Sequence, residues 1–77
     1  MKTLPFQLRP GQEFIELSKL LKFMGVTDNG AEAKALVAGG YVTVDGVTEE
    51  RKACKIHPGQ VVETGETRIT VAAADQP

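Results

Sequence analysis

The residues with the clearest capacity for chemistry are Arg51, Lys52 and Lys55, which follow Glu49 and Glu50 so closely that the charge changes sign within seven residues. Three cations this close together can donate charge-assisted hydrogen bonds to phosphate oxygens. The same cluster also fits a solvated connection between two strands, and from the cluster alone that is the commoner meaning. Asn29, Gly30 and Lys34 form a second group. Asn29 is a good helix N-cap, and a glycine just inside the helix lets another backbone approach its free N–H groups and the positive end of its dipole, which favour an anion. Glu32 opposes this, because its carboxylate can satisfy the same N–H groups and repels phosphate. Lys34 stands one turn beyond Gly30, either as a phosphate ligand or as a surface lysine paired with Glu32 or Asp28.

Catalysis finds little support in the chain. One histidine, His57, and one cysteine, Cys54, accompany carboxylates scattered over polar positions, with no Gly-rich phosphate loop. Nothing resembles an acid–base or nucleophile–base constellation, so the chain reads as a non-enzyme. A Cys/His zinc site is implausible with one residue of each type, and no metal or cofactor is expected. Cys54 reads as a half-buried small hydrophobe and His57 as a turn residue. A lone cysteine excludes an internal disulfide and fits a reducing cytoplasm. The opening MKTLPFQLRPG lacks a continuous apolar segment and no later run is long enough to span a bilayer, so a cytoplasmic protein with no membrane partner is expected. Nine Lys and Arg stand against ten Asp and Glu, with a pI near 5.7. Any nucleic-acid site must therefore be a local patch.

Seventy-seven residues suffice for one domain, 1–77. Residues 1–12 read as an edge strand and a turn: Leu4, Phe6 and Leu8 alternate, Pro5 is tolerated at an edge, and Arg9-Pro10-Gly11 reverses the chain. Between Glu13 and Met24, Phe14, Leu17, Leu20, Leu21 and Met24 recur at three- and four-residue steps, predicting an amphipathic helix closed by Gly25, with Lys19 and Lys22 on its polar face. A second, short helix begins after Asn29, with Glu32 placed for a capping box, and ends at Gly39-Gly40. Tyr41 to Val44 follow as a strand, with Tyr41 either covering the edge of the core, the commoner meaning, or stacking on an unpaired base. Asp45-Gly46 makes a two-residue hairpin turn that sets Val44 opposite Val47. Pro58-Gly59 suits a type II turn. A last hairpin runs from Val61 through Thr64-Gly65-Glu66 to Val71, with Ile69 and Val71 on one face. Residues 72–77 form a loose tail. The fold class is α+β, two short helices packed on a small, mostly antiparallel sheet.

Asn29, Ala33, Leu36-Val37, Gly40, Val42, Val44 and Asp45-Gly46, in that spacing, resemble the core signature of the RNA-binding domain first known from ribosomal protein S-four, the αL motif. The resemblance covers about Leu17 to Val62, runs on through Glu50 to Ile56, and is greatest to the short stand-alone bacterial members, the YbcJ-like proteins. It implies a non-catalytic, ribosome-associated module that binds a structured RNA, ribosomal or transfer RNA, as a monomer, by shape and phosphate contact. It also implies that Asn29, Gly30, Lys34, Arg51, Lys52 and Lys55 face that RNA. Where the family carries Ser-Arg this chain has Asn29-Gly30, so an arginine that often faces RNA is absent. The alternative is a small adaptor that binds a ribosomal or other protein partner through the sheet or through the helix bearing Lys19 and Lys22.

Overall fold

Two glycines, Gly25 and Gly40, close the two helices in the same way. The computed structural model describes residues 1–74. Helix α1 spans Leu17–Phe23 and helix α2 Gly30–Ala38. After α1, the N–H of Gly25 (φ 77°) donates to the Lys22 carbonyl and that of Val26 to Leu21. After α2, Gly40 (φ 80°) donates to Val37 and Tyr41 to Leu36. Both are Schellman ends, which need a residue in the left-handed region that glycine enters without a Cβ clash.

Strands β1 (Lys2–Gln7), β3 (Thr43–Val44), β4 (Val47–Thr48), β6 (Val61–Thr64) and β7 (Thr67–Ala72) form one sheet in the order β1-β7-β6-β3-β4. All neighbours are antiparallel except β1 and β7, which run parallel. Leu4 lies opposite Ile69, Ile69 opposite Val62, and Val62 opposite Val44, so one row of apolar side chains crosses four strands. Leu17, Leu20 and Leu21 of α1 and Ala33 and Val37 of α2 complete the core, all fully buried. Alone, a seven-residue helix would be marginal. Burying each of those leucines stabilises it by roughly 1.5–3 kcal/mol, so packing rather than propensity holds α1 in place.

The hairpin is as the spacing predicts. Asp45 (φ 52°) and Gly46 (φ 83°) both take positive φ, as a type I′ turn requires, and Val44 pairs with Val47. Asp45 tolerates this conformation because its carboxylate accepts the Val61 N–H (2.9 Å), which pins the turn to β6. Gly59 (φ 92°) sits in the turn closed by the Gln60 N–H to the His57 carbonyl at 3.2 Å. Ile69 and Val71 are both buried, as the alternation requires.

Four expectations need correction. The first helix starts at Leu17, not Glu13, because Ile15–Glu16 is instead strand β2, paired antiparallel with β5 (Lys55–Ile56) in a second sheet. The strand before the hairpin is only Thr43–Val44, since Tyr41 still belongs to the helix end. Tyr41 does not cover the core edge: it is 69% exposed, its ring lying over Gly39. Ala72 is not loose but the last residue of β7, opposite Gln7. Ala73 and Ala74 follow with no helix or strand, and 75–77 of the expected tail fall outside the described residues.

Candidate functional site

The basic connection between β4 and β5 is held by the start of α1. The Glu16 side chain gives α1 no N-terminal cap. Instead the Leu17 N–H donates to the Cys54 carbonyl (2.9 Å) and the Ser18 N–H to the Lys52 carbonyl (3.1 Å). Groups that a helix start leaves without partners are thus satisfied by the very segment that carries the cations. That segment is itself a turn, closed by Cys54 N–H to the Arg51 carbonyl at 3.0 Å. Ile15 pairs with Ile56 and Glu16 with Lys55 across β2 and β5, which fixes the register of the same connection.

With the turn docked there, Lys52 stands beside α1 and α2 at once. One groove is lined by Lys19 and Lys22 of α1, Gly30 and Lys34 of α2, and Lys52 with Ala53. Lys52 and Ala53 also line an adjoining groove with Arg51, Cys54 and Lys55. The structure therefore brings Gly30, Lys34 and Lys52 together, places Arg51 and Lys55 next door, and joins the two sets through Lys52. Among the described residues a Cβ built on Gly30 meets nothing within 4 Å, so this groove-lining position is uncrowded.

Three expected site residues have other engagements. The Asn29 side chain accepts the Glu32 N–H at 2.9 Å as the cap of α2, and Asn29 lines neither groove. Glu32 reaches back to the Asp28 N–H (2.8 Å), so the capping box closes one residue earlier than the spacing implies. Arg51 forms a two-pronged ion pair with Glu49 and remains 79% exposed at its side chain. The Lys55 ammonium stands 4.9 Å from the centre of the Phe14 ring, a cation–π placement. Burial pushes the Cys54 thiol above its usual pKa, with the Glu49 carboxylate adding to the shift. A thiol so raised is a poor nucleophile at neutral pH.

Lys19 and Lys22 are the groove residues that the family resemblance does not place against RNA. They are exposed on α1, as the periodicity requires, but they face the motif rather than a separate side. Lys19 also pairs with Glu16 at 3.1 Å, so one carboxylate sits among the groove's cations. Their spacing of three shows that they share a helix face. Nothing local in the sequence shows that the turn at Lys52 lies against that face.

Among the described residues, no group of three or more His, Cys, Asp or Glu could hold a metal ion, and no helix is long and apolar enough to cross a membrane.

Comparison with known proteins gives concordant results. A family model described as the S4 domain matches residues 6–72. The protein called "Putative RNA-binding protein YbcJ" in Escherichia coli (strain K12) is 46% identical over 59 residues, which is 77% of this chain and 84% of the relative. "Uncharacterized protein YbcJ" of Shigella flexneri matches with the same identity and coverage. The solution structure of YbcJ from E. coli, described as revealing an αL motif involved in RNA-binding, superposes with a TM-score of 0.63 at 41% identity, covering 95% of this chain and 89% of that one. The two helices and mixed sheet found here are the α+β arrangement of that motif.

Proposed function

The chain belongs to the S4 domain family, and from that membership we propose that it is a non-catalytic RNA-binding domain that recognises a structured RNA by phosphate contact and shape. The observation that carries this reading is the convergence of Lys19, Lys22, Lys34 and Lys52 on one groove around Gly30, in a chain whose net charge is −1. A cationic surface concentrated on one side of a slightly acidic protein attracts a polyanion locally and orients it. The four lysines sit on two helices and on a turn bonded to one of them, so their spacing is fixed before binding, which suits a folded RNA better than a flexible strand. The Glu16 partner of Lys19 is an exposed pair of small net value that a phosphate can replace. Gly30 lacks the family's arginine but admits a phosphate close to the start of α2. The target is a ribosomal or transfer RNA, bound by a monomer in the cytoplasm, in association with the ribosome.

The test is a titration of a folded RNA across salt concentrations. Four or five cationic contacts predict a log–log slope of about −3 to −4.5, at 0.7–0.9 per phosphate. Lys34→Glu with Lys52→Glu should abolish binding while leaving the melting temperature unchanged, and so should Lys19→Glu with Lys22→Glu. Lys2→Glu, on the edge strand and in neither groove, should have little effect. A slope near zero, or loss confined to Lys2→Glu, overturns the reading. So does a protein partner that survives ribonuclease treatment and is released by the same substitutions.

A further inference from the structure

The lysine groove does not end at α1. Lys19 and Lys22 also wall a depression on the other flank of the helix, between α1 and β1, together with Arg9, Phe6 and Phe23. Among the described residues no carboxylate lines this depression, and Glu16, the partner of Lys19, lines the lysine groove instead. Phe23, the last residue of α1, is 65% exposed while Leu17, Leu20 and Leu21 of the same helix are fully buried. It is nevertheless held: its ring meets that of Phe6 with centroids 5.5 Å apart and planes at 82°. An edge-to-face pair uses one face of one ring and one edge of the other. Whichever role Phe23 takes, Phe6 leaves at least one of its faces uncovered.

We propose that this depression receives an unpaired base, stacked on Phe23, with Lys19, Lys22 and Arg9 neutralising the phosphates that flank it. The proposal rests on the RNA-binding reading and narrows its substrate class to a helix interrupted by a bulged or looped-out nucleotide. Charge complementarity selects the occupant. A nucleotide joins a flat two-faced ring to an anion, and the depression joins an exposed aromatic ring to three cations, of which Lys19 alone has an acidic partner among the described residues, Glu16. The shared wall supplies the path: a strand whose paired phosphates lie along Lys34 and Lys52 passes Lys19 and Lys22 before reaching Phe23. Stacking on an aromatic is tolerant of base identity, so the site reads the presence of an unpaired base rather than its sequence.

The experiment uses a short RNA duplex and the same duplex with one bulged 2-aminopurine. The protein should bind the bulged RNA about 5- to 150-fold more tightly, the range that one base–aromatic stack supplies, and quench the 2-aminopurine emission. Phe23→Leu keeps apolar bulk against Phe6 but removes the π-face. It should lose the preference and the quenching, keep its affinity for the uninterrupted duplex, and melt as the parent does. Phe23→Trp should retain both. Equal affinity of the parent protein for the two RNAs overturns the proposal while leaving RNA binding intact, and so does a preference that survives Phe23→Leu. Failure to bind either RNA overturns the RNA-binding reading itself. The comparison of the two duplexes with the unsubstituted protein is decisive even if a variant fails to fold.

Discussion

Arg51 grips Glu49 through three hydrogen bonds: Nε to Oε2 at 2.9 Å, Nη2 to Oε1 at 3.0 Å, and its own backbone N–H to Oε2 at 2.9 Å. The cation that reads in the sequence as the first phosphate ligand is therefore already occupied by a carboxylate two residues away. A guanidinium whose fork is filled has fewer donors to offer a phosphate. Lys52, by contrast, lines both grooves and has no ion-pair partner among the described residues.

Arg51→Glu should consequently weaken RNA binding less than Lys52→Glu. Glu49→Gln, which releases the fork, should strengthen it by up to about fivefold, the scale of one exposed charge pair. Titrating one folded RNA with the three variants ranks them, and an Arg51→Glu loss larger than that of Lys52→Glu would contradict the assignment.

The same contact makes stability depend on acid. The guanidinium hydrogen bonds, with the Arg51 backbone N–H next in importance, hold the Glu49 carboxyl at a pKa of about 2, against 4.5 for an unperturbed glutamate. Between those values the unfolded chain binds the proton and the folded one does not, so stability rises with pH. The contribution is complete above about pH 4.5 and is lost as pH falls toward 2. In thermal melts, Glu49→Gln should lack this component. The gap between the parent and the variant should close on going from pH 5 to pH 2, and a gap that stays constant would show the pair to be open in solution.

Gly30→Arg restores a cation at a place where a Cβ meets nothing. The position is helical with no positive φ, so the fold should accept arginine, with at most a gain below about 1 kcal/mol from replacing glycine in a helix. The salt slope of RNA binding should steepen by about 0.7–0.9, one further phosphate contact. An unchanged slope would place the phosphates elsewhere.

Gly46→Val tests the hairpin. A Cβ at Gly46 would touch nothing, yet φ is 83°, so any loss of stability comes from the backbone conformation and not from crowding. About 1–3 kcal/mol is expected for a β-branched residue forced there. Gly46→Asn should lose less, because asparagine enters the left-handed region more readily. Melting of the valine variant within a degree of the parent would refute the turn assignment.

What the sequence made legible was local. The cap at Asn29, the stops at Gly25 and Gly39-Gly40, the Asp45-Gly46 turn and the alternation at Ile69 and Val71 each depend on residues a few positions apart. The short sheet formed by β2 and β5 was not legible. Phe14 fits the helical period of the residues after it, and only pairing with Lys55–Ile56, some forty residues on, draws Ile15–Glu16 into extended form. The site divided in the same way. Lys34 and Lys52 were recognisable as candidates, while the membership of Lys19 and Lys22 depends on backbone bonds from Leu17 and Ser18 to the distant turn. The Glu49–Arg51 contact was within reach, since an acid and a base two residues apart at a bend can meet.

The parallel pairing of β1 with β7 has a kinetic side. Lys2 lies opposite Thr67 and Gln7 opposite Ala72, so every residue of β1 finds its partner 65 positions later in the chain. Closing so long a loop costs entropy before it returns any contact, which makes such a pairing late and slow, while α2 and the Asp45-Gly46 hairpin close over a few residues. Pulse-labelled hydrogen exchange during refolding should therefore protect the amides of Ala33 and Val37 before those of Leu4 and Phe6, and the reverse order would put β1 in the nucleus. Phe6 is the residue of β1 that fixes the ring of Phe23. The aromatic platform should be completed only when the two far ends of the described chain have met, after the lysines on the helices are already in position.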